Sequence, residues 1–191
     1  MRTEPVPTFV LDLPEEVGTT ARILDAALAK AETFGIRRTT MEDVAHAAGV
    51  SRITVYRHFE SKDALISSVV LREARRFFGA LDAAIDGYDT VEDRIVEGFV
   101  VSLDYLQHHS LLNRLLEIEA DSVLPFLTTA GGPLLATARS HVGALLAKDV
   151  SAGRIPPFDV ELVAEMLTRL CFSFLLTPET AIELDGPDEA R

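Results

Sequence analysis

Apolar residues recur at helical spacing along most of the chain. Ile23, Leu24, Ala27, Leu28, Ala31 and Phe34 mark one face of a helix over residues 19–34, which Gly35 closes. Met41, Val44, Ala45 and Ala48 mark a second helix, which Thr39 or Thr40 caps with Glu42 or Asp43 three residues on. Gly49 stops it, and Ser51 caps a third helix over residues 52–59 whose inward positions are Val55 and Phe59. Ser61 opens a longer helix that carries Leu65, Val69 and Phe77 and runs to about Ile85. The pattern breaks at residues 87–90 and resumes over 91–109 with Ile95, Phe99, Leu103 and Leu106. Two short helices are expected over 111–120 and 122–129, and two longer ones over 134–151 and 159–176. The predicted fold is all-α, with a three-helix N-terminal helix-turn-helix head followed by a helical-bundle body.

The second and third helices flank a tight turn, the layout of a helix-turn-helix whose second helix lies in a major groove. Val55 and Phe59 face inward, which turns Arg52, Ile53, Tyr56 and Arg57 outward. Arginine offers guanine a planar fork of donors, Ile53 suits a thymine methyl, and Thr54, Tyr56, His58 and Lys62 carry groups that reach phosphates. Thr40 and Ser51, at the helix caps, complete the expected DNA-binding set.

Residues 39–65 read TT-x-E-D-V-A-x-A-A-G-V-S-x-x-T-V-Y-x-H-F-x-S-K-x-A-L. This run resembles the DNA-binding signature of the tetracycline-repressor (TetR) family of bacterial regulators. The glycine, the serine after the turn, the Tyr-x-His-Phe run and the Ser-Lys opening of the next helix all fall at the family's spacing. The resemblance covers residues 19–71 and departs at Ile53, where family members often carry a small residue or proline. It implies a repressor that binds double-stranded DNA and is released by a small molecule.

The domain plan is a flexible acidic arm at 1–18, the DNA-binding domain at 19–64, a ligand-binding and dimerisation domain at 65–176, and a frayed tail at 177–191. The last two long helices, with Leu135, Val142, Leu145, Leu146, Met166, Leu170 and Phe174, read as a pair that doubles into a four-helix bundle in a homodimer. The same apolar positions also suit a core pair within one monomer.

A net charge of −12 runs against a DNA-binding protein until it is divided along the chain. Residues 19–80 hold ten Lys and Arg against seven Asp and Glu, whereas residues 81–191 hold seven against nineteen. A basic head on an acidic body orients on a polyanion with the body turned away. Apolar residues make up 48% of the chain, an excess that favours an interface or an apolar cavity. For that cavity the candidates are Phe77, Phe99, Leu103, Tyr105, His108, Asn113, Leu116, Glu117, Phe126 and Phe172, mostly apolar with a few polar anchors. The expected effector is therefore a small apolar molecule.

The single cysteine, Cys171, stands in an apolar run and reads as packing, which fits a cytoplasmic protein without disulfides. No signal peptide and no membrane-spanning run is visible. His108, His109 and Asp104, with Glu117, Glu119 and Asp121, are the nearest approach to a metal set. They lack the Glu-x-x-His pairs of a bundle di-iron site, so neither metal nor cofactor is expected. The motifs of zinc proteases, serine hydrolases, P-loops and dinucleotide sites are missing as well, which argues against an enzyme. Two alternatives stay open beside the ligand-released repressor: a regulator whose body only dimerises, and an all-helical enzyme.

Overall fold

The structure, a computed structural model, describes residues 16–177, which form nine helices and no strand. These are α1 (Gly18–Phe34), α2 (Met41–Ala48), α3 (Arg52–His58), α4 (Lys62–Ile85), α5 (Val91–Gln107), α6 (Ser110–Ile118), α7 (Ala120–Leu127), α8 (Gly132–Ser151) and α9 (Val160–Leu176). The all-α expectation holds, and the helix bounds fall within a few residues of those read from the apolar pattern. Nearly all of the arm at 1–18 and of the tail at 177–191 lies outside the described residues.

The chain forms two compact units. One contains residues 16–76 together with His109–Leu124, so α6 and the start of α7 belong with the helix-turn-helix. Its core gathers Ile23 and Leu24 of α1, Val44 of α2, Val55 of α3, Leu65 and Val69 of α4, and Leu111 and Leu115 of α6. Each such side chain contributes about 1.5–3 kcal/mol on leaving water, and none of these helices could bury its apolar stripe alone. Phe34 departs from the expected inward face. It is 48% exposed, with the Lys30 ammonium 5.4 Å from its ring centre, because α1 ends there and the chain turns at Gly35.

Polar contacts tie α6 and α4 to this core. Arg114 of α6 donates to the Thr33 carbonyl at 3.1 Å, and Ser110 bonds Glu32. Arg72 of α4, buried to 6% exposure, pairs with Asp25 of α1 at 2.9 Å. The second unit contains Phe77–His108 and residues 125–177. There α9 packs against both α8 and α5. The α8–α9 approach is close at Gly143, where an added Cβ would stand 3.8 Å from that of Ala164.

Candidate nucleic-acid interface and effector cavity

The turn between α2 and α3 is fixed at both ends by side chains. Thr40 accepts the Asp43 N–H at 3.1 Å while Asp43 reaches back to the Thr40 backbone, a capping box worth about 0.5–2 kcal/mol. The Thr40 hydroxyl also donates to Asp43 at 2.5 Å and holds that carboxyl below its ordinary range. Gly49 ends α2 in the left-handed region at φ 65°, and Arg22 of α1 donates to the Ala48 carbonyl beside it at 2.7 Å. Ser51 then accepts the Thr54 N–H at 3.1 Å, and the Ser51 and Thr54 hydroxyls lie 2.8 Å apart.

Val55 of α3 is fully buried and Phe59, which caps its end, nearly so, while Ile53 is 81% and Tyr56 42% exposed. Arg52, Ile53, Tyr56 and Arg57 therefore share the outward face. The Arg52 guanidinium lies 5.4 Å from the Tyr56 ring centre, with its Nε 3.9 Å from Glu42. Hydrogen bonding to Tyr56, with Glu42 adding its charge, raises its basicity further. The rest of the expected DNA-binding set is engaged inside the unit. His58 Nδ1 lies 3.0 Å from the Thr20 hydroxyl, and Lys62 Nζ donates to the Arg37 carbonyl at 2.9 Å.

The second unit contains a cavity of about 120 Å³. Phe77, Phe78, Leu81 and Ile85 of α4 line it with Val91, Ile95 and Phe99 of α5, Val142 and Leu145 of α8, and Phe172 of α9. Gly98 lets α4 and α5 close in, since a Cβ there would meet Ile85 and Leu81 at 3.3 Å. The polar members of the wall are Arg94, Ser102, Asp149, Thr168 and Cys171. Burial pushes the Cys171 thiol up to about 12. Thr168 Oγ1 is buried with no hydrogen-bond partner among the described residues.

Comparison with known proteins matches both units. Residues 23–69 fit the family model of bacterial regulatory proteins of the tetR family, and residues 91–188 fit that of the bacterial tetracyclin repressor C-terminal domain. The chain belongs to the TetR family. An HTH-type transcriptional regulator of Mycobacterium tuberculosis is 31% identical over 174 residues, covering 88% of this chain and 77% of its own length. AlkX of the same species, also an HTH-type transcriptional regulator, is 27% identical over 154 residues, 80% of this chain and 72% of AlkX. Among solved structures, the TetR family repressor AlkX from a Dietzia strain, implicated in n-alkane biodegradation, superposes with a TM-score of 0.64. It is 25% identical, and the match covers 90% of each chain. This TetR protein is a DNA-binding transcriptional regulator and not an enzyme.

Three of the ten residues read from the sequence as cavity lining, Phe77, Phe99 and Phe172, line the cavity of this TetR chain. The Tyr105 ring meets that of Phe77 at a tilt, with centres 5.4 Å apart, and Leu103 is buried. His108 is exposed beside Asp104, and Phe126 is 66% exposed. Asn113, Leu116 and Glu117 lie on α6 in the other unit, Glu117 paired with Arg114 at 2.7 Å. Helical spacing identifies an apolar face but not which neighbour covers it, and this displaced the α6 residues.

The residues expected at a dimer interface divide in the same way. Val142, Leu145 and Leu146 line the cavity, Phe174 meets Phe99 edge to face at 5.9 Å, and Leu135 is half-buried. Met166 and Leu170 are 56% and 49% exposed, and Leu162 at 56% extends them into an apolar stripe four residues apart along α9.

Among the described residues no group of three or more His, Cys, Asp or Glu is placed to hold a metal. Glu119, a member of the acidic set near His108, has a structural use that the sequence did not signal. Its side chain is buried, accepts the Arg37 N–H at 2.8 Å and packs on Gly35, so it fastens the α1–α2 turn. Among the described residues no helix is long and apolar enough to cross a membrane.

Proposed function

We propose that this TetR-family regulator is a homodimeric repressor that binds an inverted-repeat operator and is released by a small apolar effector. The observation that carries the reading is the apolar cavity whose wall includes Phe77, Phe78, Leu81 and Ile85. These residues belong to α4, the helix that begins at Lys62 and shares the head's core through Leu65 and Val69. An effector that fits only one position of the far turns of α4 then biases the head. Binding and DNA release become one equilibrium, and a tenfold loss of operator affinity requires a tenfold loss of effector affinity on the operator complex, about 1.4 kcal/mol. The repressor AlkX from Dietzia, implicated in n-alkane biodegradation, supports a repressor responding to an apolar molecule.

The stripe of Leu162, Met166 and Leu170 supports the dimer, since apolar side chains in a row on one helix seek a partner surface. Two recognition helices then read half-sites about one helical turn, ~34–36 Å, apart. Mobility shift with the DNA upstream of the protein's own gene, with and without apolar compounds, tests the reading. Light scattering on Met166→Glu tests the dimer. Operator complexes that no apolar compound releases, or wild-type protein that is monomeric at micromolar concentration, would overturn it.

A further inference from the structure

We propose that the effector is an apolar monocarboxylate held by its carboxylate at Arg94, an inference that rests on reading the cavity as the effector site. Arg94 and Asp149 are the charged residues among those lining the cavity. Asp149 Oδ1 takes Arg94 Nη1 at 2.7 Å and, from outside the lining, Arg154 Nε at 2.7 Å and Nη2 at 2.5 Å. Asp149 divides its charge between Arg94 and the more exposed Arg154, so Arg94 is only partly neutralised beside the apolar walls. There the low dielectric strengthens the attraction for an anion.

Exposure decides which of the two charges a ligand meets. The Asp149 side chain is 3% exposed and already holds both arginines, so an ammonium ligand would have to displace one of them. The Arg94 side chain is 15% exposed and spends one nitrogen on Asp149. Among the described residues its remaining donors have no partner, and a guanidinium fork matches a carboxylate in a bidentate pair. An alcohol in the same place gains a hydrogen bond but leaves the remaining charge unmet.

The walls receive the rest of the molecule. Arg94 lies in the first turn of α5 and Asp149 in the last turn of α8, while Phe99 and Leu106 lie on later turns of α5. From Arg94 to Leu106 the lining runs ~18 Å along the helix axis, so an apolar tail can extend away from the charged end.

The test is calorimetric titration of the full chain with hexanoate and decanoate, and with hexanol and decanol as uncharged matches. Each carboxylate should bind at least tenfold more tightly than the alcohol of equal length. Arg94→Met should erase that preference. The double variant Arg94→Met/Asp149→Leu replaces the ion pair with apolar side chains and keeps the measurement possible if the single variant unfolds. It should bind the alcohols more tightly than the acids. Alcohols that bind wild type as well as acids, or an acid preference that survives both variants, would overturn the carboxylate assignment and leave the effector cavity standing. Wild-type protein that binds none of the four would overturn the effector cavity itself.

Discussion

Gly35 and Glu119 should behave as one coupled unit. Gly35 adopts φ 83° and ψ 165°, a region essentially reserved for glycine, so any side chain there costs about 1–3 kcal/mol in backbone strain. A Cβ would also stand 2.3 Å from Glu119 Oε1 and 2.9 Å from Ile118 Cδ1. The carboxylate cannot retreat freely, because it is buried and accepts the Arg37 N–H at 2.8 Å. Gly35→Ala therefore adds the loss of this charge-assisted bond, about 1.5–3 kcal/mol, and should destabilise by about 2.5–6 kcal/mol in total. Glu119→Ala removes the same bond and should cost about 1.5–3 kcal/mol by itself. In the double variant the collision with the carboxylate is gone and its bond is lost only once. The pair should then be less destabilising than the sum of the singles by at least about 1 kcal/mol. Urea unfolding followed by circular dichroism measures all three. Strict additivity would refute the reasoning, since it would mean that Glu119 moves aside at no cost and does not fasten the α1–α2 turn.

Arg52→Ala should cost about 1–3 kcal/mol on a matched operator and relax specificity at one position, whereas Lys62→Ala, whose ammonium is held on the Arg37 carbonyl, should weaken matched and scrambled sites alike. Mobility-shift titration on both DNAs separates the two. Glu73 supplies a pH dependence. Burial pulls its carboxyl up, but the hydrogen bond with His109 and the charges of Arg76, His109 and Arg72 hold it below the usual glutamate value. A carboxyl depressed in the folded state stabilises fully above its unfolded pKa, about 4.3, and loses that contribution as pH falls through the folded value. Glu73→Gln should therefore flatten the loss of melting temperature between about pH 5 and pH 3, and an unchanged acid limb would argue against it.

The head was legible in the sequence because its signals are local. The Thr40–Asp43 capping box, the left-handed Gly49, the Ser51 cap and the inward pair Val55 and Phe59 each depend on residues within four positions of one another. Helix order and approximate bounds in the body were legible for the same reason. The assignment of faces was not. Leu116 and Phe99 carry the same apolar signal, yet one lies on α6 in the head's unit and the other lines the cavity. The Arg94–Asp149–Arg154 cluster joins residues up to sixty positions apart, and Glu119 bonds Arg37 from 82 positions away. No periodicity within a helix encodes such pairings.

Cys171 gives the molecule an internal reporter. It is the chain's one cysteine, it stands in the cavity wall, and burial pushes its thiol up to about 12. The thiolate is therefore scarcer at neutral pH than in an ordinary cysteine. Cys171 is half-buried, so the access of a reagent to its sulfur depends on how tightly the cavity wall packs around it. The rate at which a small maleimide consumes Cys171 thus reports the accessibility of the cavity wall, readable by mass spectrometry in the wild-type chain with no label introduced.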